Sequence, residues 1–205
     1  MKNSLTPFTQ YVTEPMLLKM KDWFMFRTQL HIDFVNGFYS GIQHAFPEFG
    51  SMDDHDASKF EEPEYTPYLY ISWTYKCRDE GWRFEDCNPP DNIDDLMHQA
   101  SMHHVLNNNH HPEAWAHPAA VQINLANRDA PSESIIDGTK MPDNYIGEMV
   151  ADWCAISKER NSQPRDWADA NINVRWKFSA RQVQLIYHLI DLVWVVEADP
   201  KIYPS

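Results

Sequence analysis

Apolar residues return every three or four positions through most of this chain. From about Glu14 to Ala45, Met16, Leu17, Met20, Trp23, Phe24, Leu30, Phe34 and Phe38 keep that spacing, which predicts one long helix with Thr13 as its N-cap and Pro47 closing the segment. Gly50-Ser51-Met52-Asp53 reads as a turn, after which Asp53 or Asp54 is placed to cap a new helix carrying His55, Asp56 and Lys59 in its first turns. Pro63, Pro67, Pro89 and Pro90 interrupt the next stretch. Its apolar run, Tyr68 to Trp73, is too short for periodicity alone to separate helix from strand; we read it as helix, with a loop from about Arg78 to Asn92. Asp91 to Leu106 is again helical in pattern, and Asn107-Asn108-Asn109 stops it.

The polar stretch from His117 to Pro142, with Pro118, Pro131 and Pro142, predicts a long loop, and loops of such length inside compact domains are often functional. A helix then runs from Asp143 through Ile146, Met149, Val150 and Trp153 to about Arg160. A short helical turn is expected near Asp166 to Ala170. Ser179 caps the last helix, whose broad apolar face holds Val183, Leu185, Ile186, Leu189, Ile190, Leu192 and Val193.

With only 6 glycines, the pattern as a whole predicts an all-α fold. At 205 residues and 43% hydrophobic content, one domain over 1–205 is expected, with a core from about 14 to 197 and lid or loop segments near 61–92 and 117–142. The net charge of -13 repels a phosphate backbone, so extended nucleic acid is excluded as a partner. A small anionic substrate is still admissible, because bound cations dominate their local field. Cys77, Cys87 and Cys154 are odd in number and lack a C-x-x-C spacing, which points away from a disulfide framework and toward a reducing cytosol. No apolar run is long enough to span a bilayer, and Lys2 is not followed by a leader-like apolar segment. A complete cytoplasmic chain with no membrane partner is expected, and a homo-oligomer is compatible with these bounds.

The chemistry gathers on histidine and carboxylate. His55-Asp56 places an imidazole beside a carboxylate, a mixed N/O donor pair that suits zinc, iron, manganese, cobalt or nickel rather than calcium or magnesium. Adjacent helical residues point about 100° apart, so both reach one ion only at a helix end or in the angle between helices. The remaining ligands must then come from other helices. His31 and Asp152 supply an imidazole and a carboxylate. Downstream, His103-His104-x-x-x-Asn108-x-His110-His111 crowds imidazoles whose cations would repel one another, a problem that coordination relieves. Four histidines in nine residues exceed what one ion takes from a helix turn, so some must orient ligands or meet substrate.

His31, His55-Asp56 with Lys59 three residues on, the later histidines and Asp152 together resemble the HD-domain superfamily of metal-dependent phosphohydrolases, whose signature is H…HD…D on a helical bundle. More narrowly, the segments Asp54 to Phe60, His103 to Trp115 and Glu148 to Trp153 are similar to a small HD-like bacterial and phage family of unknown function. The resemblance runs from about His31 to Trp153. It implies an HD-domain-like helical bundle with a long loop over the metal site, and a first metal held by His31, His55, Asp56 and Asp152. It also implies Asp56 as a bridge to a second ion, with His104, His110 and His111 as that ion's candidates. Their spacing is tighter than in binuclear HD phosphodiesterases, whose extra histidines sit on separate helices.

The expected cofactor is therefore one or two divalent transition-metal ions (Fe, Mn, Co, Ni or Zn). Two cations about 3.5–4 Å apart would acidify a bridging water and stabilise charge on a phosphoryl oxygen. Lys59 projects from the side of His55 and Asp56 on a helix, where it can neutralise a substrate phosphate; an ion pair with Glu62 is its plainer role. Glu148, one turn before Asp152, can orient a ligand or act as acid or base; a surface ion pair is its plainer role. Trp73 and Trp115 can stack on a nucleobase or pack in the core. Hydrolysis of a nucleotide or another small phosphoester leads the functional readings. A mixed-valent di-iron oxygenase of the HD type and a non-catalytic metal- or nucleotide-binding protein are the alternatives.

Overall fold

Each helix begins and ends where the local chemistry allows. The computed structural model describes residues 12–52, 54–117, 121 and 135–194. Helix α1 (Glu14–Ala45) runs the full length of the first apolar stripe. Helix α2 (Tyr65–Glu80) contains Pro67 in its first turn, where a missing N–H breaks no intrahelical bond. It closes on Gly81, whose φ of 70° is left-handed and favours glycine, with the Trp82 N–H donating to the Cys77 carbonyl at 2.8 Å. Helix α3 (Ile93–Asn107) ends at the asparagine run. Helices α4 (Asp143–Glu159), α5 (Pro164–Asn171) and α6 (Ala180–Val193) complete an essentially all-α chain. At the start of α6, Ser179 Oγ accepts from the Gln182 N–H at 3.3 Å and Gln182 Oε1 accepts from the Ser179 N–H at 2.9 Å, a reciprocal capping box.

The described residues fall into two compact units. The first takes 12–30 and Asp56–His104. The second takes His31–His55 and the described residues from Val105 onward. The three chain crossings between them fall at Leu30-His31, His55-Asp56 and His104-Val105.

The first unit is built on aromatic and thiol packing. Met20 and Phe24 of α1 bury with Tyr68, Leu69, Tyr70, Trp73 and Cys77 of α2, with Cys87 from a short 3-10 helix (Phe84–Cys87), and with Ile93 and Ala100 of α3. Phe60 and Tyr65 each meet the Phe24 ring edge-on at 5.6 Å. The segment near 61–92, read from sequence as lid or loop around a short helix, thus contributes the sixteen-residue α2 to a core. Trp73 is a core residue and does not present its face to a nucleobase.

In the second unit, α4 packs against α5 and α6, and Ile146, Met149, Val150, Cys154, Ile186, Leu189 and Ile190 are buried. Gly147 permits close approach: a Cβ there would lie 3.0 Å from the Phe49 ring. Two elements have no precedent in the sequence pattern. The two-residue strands β1 (Ile136–Asp137) and β2 (Trp176–Lys177) pair in parallel, Ile136 opposite Trp176. Beside them Glu113 is fully buried, accepting from Trp176 Nε1 at 2.8 Å and facing the Arg175 guanidinium at 3.5 Å. Gln182 Nε2 donates to the Met141 carbonyl at 3.0 Å and ties the start of α6 to the β1 turn. Of the loop expected from His117 to Pro142, 118–120 and 122–134 lie outside the described residues. Among the described residues, no helix is long and apolar enough to cross a membrane.

The cysteines give a test of this packing. All three are buried and none is disulfide-bonded, and burial pushes the thiols of Cys87 and Cys154 up to about 12. Native protein at neutral pH is expected to react with a thiol reagent far more slowly than denatured protein, which should release three equivalents. Fast native labelling would contradict the packing described.

Candidate metal centre

Helix α4 carries the acidic half of the site in the second unit. Glu148, Asp152 and Glu159 stand four and eleven positions apart, which at about 100° per residue places all three within roughly 40° around the helix. Glu148 and Asp152 are buried, and the Glu159 side chain is only 3% exposed. Carboxylates at this depth require hydrogen bonds or cations. Three imidazoles provide them.

His31 comes from α1, where the helical backbone fixes its position. Its Nε2 lies 3.0 Å from Asp152 Oδ1, and its Nδ1 lies 2.6 Å from Glu159 Oε1. His55 comes from the turn after Asp54, with Nδ1 2.8 Å from Glu148 Oε1 and Nε2 4.0 Å from Asp152 Oδ1. His110 follows the end of α3 and sets its Nδ1 3.1 Å from the same Glu148 oxygen. The rings of His31 and His55 are 5.5 Å apart, and those of His55 and His110 are 4.3 Å apart.

The two ring nitrogens have separate duties. An ionised carboxylate only accepts, so Nδ1 of His55 and His110 donates to Glu148 and Nδ1 of His31 to Glu159. By the same rule His31 Nε2, 3.0 Å from Asp152 Oδ1, donates to that carboxylate, so a metal bound there would displace its proton, while His55 Nε2 lies 4.0 Å from the same oxygen. Burial opposes the charged form of His31, yet hydrogen bonds and charge from Asp152 and Glu159 outweigh it and raise its pKa to about 9. Burial likewise works against the carboxylates, but the imidazoles hold Glu148 below the usual range and Asp152 far below it.

These residues fit a transition metal. Imidazole nitrogens beside carboxylate oxygens, backed by carboxylates on the outer nitrogens, are the donor chemistry of zinc, iron, manganese, cobalt and nickel sites. His31, His55 and Asp152 offer convergent donor atoms. His55, His110 and Glu148 offer a further set, all within 4.8 Å of one another.

The first unit has its own constellation. Asp56 takes His104 Nε2 at 3.2 Å on one oxygen and Lys59 Nζ at 2.5 Å on the other. Glu64, fully buried, accepts from His104 Nδ1 at 2.9 Å, His103 Nδ1 at 2.7 Å and Ser58 Oγ at 2.9 Å. Burial raises the pKa of Glu64, but these contacts more than reverse it and hold the carboxyl below its usual range. Lys59 also lies 5.2 Å over the Tyr68 ring.

Several expectations change. His55 and Asp56 do not open an α-helix: they sit in a turn, and only a short 3-10 helix (Ala57–Phe60) follows. Asp56 is left-handed, with φ 59° and ψ 13°, which ends any helical projection of Lys59 from the side of His55. Lys59 pairs with Asp56, while Glu62 instead accepts from Thr66 Oγ1. Glu148 is no surface carboxylate, because His55 and His110 both bind it. His111 lies tilted beside His110, ring centres 4.3 Å apart, and leads into a short 3-10 helix (Pro112–Trp115). Trp115 donates to the Asn109 carbonyl at 2.9 Å and packs on Tyr145. Two partners escaped the sequence reading. Glu159 was detectable from its eleven-residue spacing after Glu148, whereas Glu64, between Pro63 and Tyr65, carries no such signal.

A model for DUF5662, a family of unknown function, matches residues 20–192, most of the chain. The chain belongs to the DUF5662 family. No curated protein and no solved structure matches it. In this DUF5662 protein every candidate ligand, and both Glu64 and Glu159, falls inside the matched span.

Protein purified without chelator is expected to retain about one equivalent of transition metal per chain, by the donor chemistry above, read by elemental analysis. His55→Ala should lose most of it. Equal metal content in both proteins would remove the basis for a site at His55.

Proposed function

We propose that this protein is a metal-dependent phosphohydrolase acting on a nucleotide or another small phosphoester. The observation that carries the metal half is the convergence of His31 Nε2 and His55 Nε2 on Asp152 Oδ1, with the opposite ring nitrogens held by Glu159 and Glu148. The phosphoester half draws on the HD-like order of His31, His55-Asp56 and Asp152 and on Lys59. The net charge of -13 favours a small substrate over a polymer of phosphates.

A cation bound there would supply an acidified water and stabilise charge on a phosphoryl oxygen. The chain's own residues do the rest. His31, His55 and Asp152 would hold the ion, with His110 as the neighbouring donor. Glu148 keeps the His55 and His110 rings oriented through Nδ1, which leaves Nε2 of each as the lone-pair nitrogen. That shared contact makes Glu148 a positioning residue in this reading. The first unit, taken by itself, brings Asp56, His104 and Lys59 together, a carboxylate, an imidazole and a cation of the types that anionic phosphate chemistry uses. A cytoplasmic location accords with three reduced, buried cysteines.

A phosphate-release screen over nucleotides and small phosphomonoesters, with manganese, cobalt, nickel and iron added separately, is expected to find metal-dependent turnover that persists without oxygen. Turnover that requires both iron and oxygen would replace this reading with the oxygenase. Metal binding with no turnover would favour the binding protein. Lys59→Ala is expected to raise KM for the phosphorylated substrate about tenfold or more, for a lost charge-assisted contact of about 1.5–3 kcal/mol. An unchanged KM would remove Lys59 from substrate binding.

A further inference from the structure

We propose that Glu159 is the positioning residue for His31, fixing the ring so that Nδ1–H faces Glu159 and Nε2 faces Asp152 as a metal donor. This deepens the metal reading above and rests on it. Three observations carry the assignment. The contact is short, 2.6 Å from His31 Nδ1 to Glu159 Oε1, and both side chains are more than nine-tenths buried. The opposite nitrogen of the same ring lies 3.0 Å from Asp152 Oδ1, so one imidazole is held at both ends by two carboxylates of one helix. Asp152 and Glu159 are seven residues apart on α4, two turns along one face, so both side chains are on the side that meets this imidazole.

The need for such a residue follows from the geometry of a helical histidine. α1 fixes the Cα and Cβ of His31, but the terminal torsion of a histidine is broad and roughly two-fold, so a half-turn exchanges ring nitrogen for ring carbon on each side. Only one of these orientations presents Nε2 to Asp152. A carboxylate placed against Nδ1 selects that orientation and selects the tautomer with it. Glu148 does the same for His55 at 2.8 Å, so the second unit uses one device twice on one face of α4. The competing role for Glu159 is a strut that joins α1 to α4 with no bearing on a metal.

Cobalt(II) titration against a competing chelator separates these roles. The proteins are wild type, Glu159→Gln, Glu159→Leu, His31→Ala and the double variant His31→Ala/Glu159→Gln. Glutamine keeps an acceptor for the imidazole N–H and nearly the same volume, so it protects the test if the leucine variant fails to fold. Affinity is expected to fall about tenfold in Glu159→Gln and toward a hundredfold in Glu159→Leu, the range for losing an outer partner of a ligating histidine. The cobalt absorption envelope should change as the ring loses its fixed angle. In the His31→Ala background, Glu159→Gln should have no further effect, because the positioning residue then has nothing to position.

Unchanged affinity and spectrum in both single variants would overturn the proposal. So would a lowered melting temperature of metal-free Glu159→Gln with affinity intact, which assigns Glu159 to the fold alone. An equal loss on adding Glu159→Gln to His31→Ala would overturn it as well, since the effect would not pass through His31. If wild type itself takes up no cobalt, the metal reading falls and this inference falls with it, a result distinct from wild type and variants binding alike.

Discussion

Three carboxylates buried on one face of α4 set the terms for the second unit. Transferring an isolated ionised carboxylate out of water costs several kcal/mol even after relaxation, about what a whole domain has to spare. Glu148, Asp152 and Glu159 are tolerable there because partners such as His31, His55 and His110 arrive from elsewhere in the chain. The dependence is mutual. Imidazoles packed 4.3 to 5.5 Å apart would repel one another as cations, and the acids between them remove that penalty. Such networks contribute little net stability compared with apolar packing, so their retention in an interior points to use.

The first unit repeats the arrangement with different parts. Glu64 is fully buried and satisfied by His103, His104 and Ser58, and His104 passes its other nitrogen to Asp56. His104, like His31 and His55, therefore shows a carboxylate on Nδ1 and a second carboxylate near Nε2. The unit also holds an aromatic core of Phe24, Tyr68, Tyr70 and Trp73, and Tyr68 joins the two, meeting His104 edge-on at 5.5 Å and lying under Lys59.

The helices were largely legible in the sequence. α4 starts after Pro142 and α6 after Ser179, where side-chain and backbone chemistry mark the boundary locally. α2 was ambiguous because its run Tyr68 to Trp73, mostly apolar but broken by Ser72, is too short to show a period. β1 and β2 were invisible: a two-residue parallel pair from segments forty residues apart leaves no alternation. Within the site, ligand types and order were legible, since imidazole beside carboxylate is a local signal. Their conformation was not, because the turn at Asp56 depends on a left-handed backbone that no neighbouring glycine announces. Nor were the pairings of the outer acids, because the spacing that marks Glu159 does not say which ring nitrogen it meets, and that is decided by packing between segments far apart in the chain, as for His31 and Glu159.

The left-handed backbone at Asp56 makes that position doubly exacting. Few residues other than glycine adopt such angles, and asparagine and aspartate tolerate them best because their short side chains bond locally. Of the two acidic residues, aspartate meets the backbone demand at the lower cost while still offering a carboxylate. Glutamate would keep the charge and lose the turn, asparagine would keep the turn and lose the charge, and glycine would keep the turn alone. The second letter of the dipeptide is thus selected by chain geometry as much as by chemistry. A two-residue motif that looks like a statement about ligands is also a statement about shape.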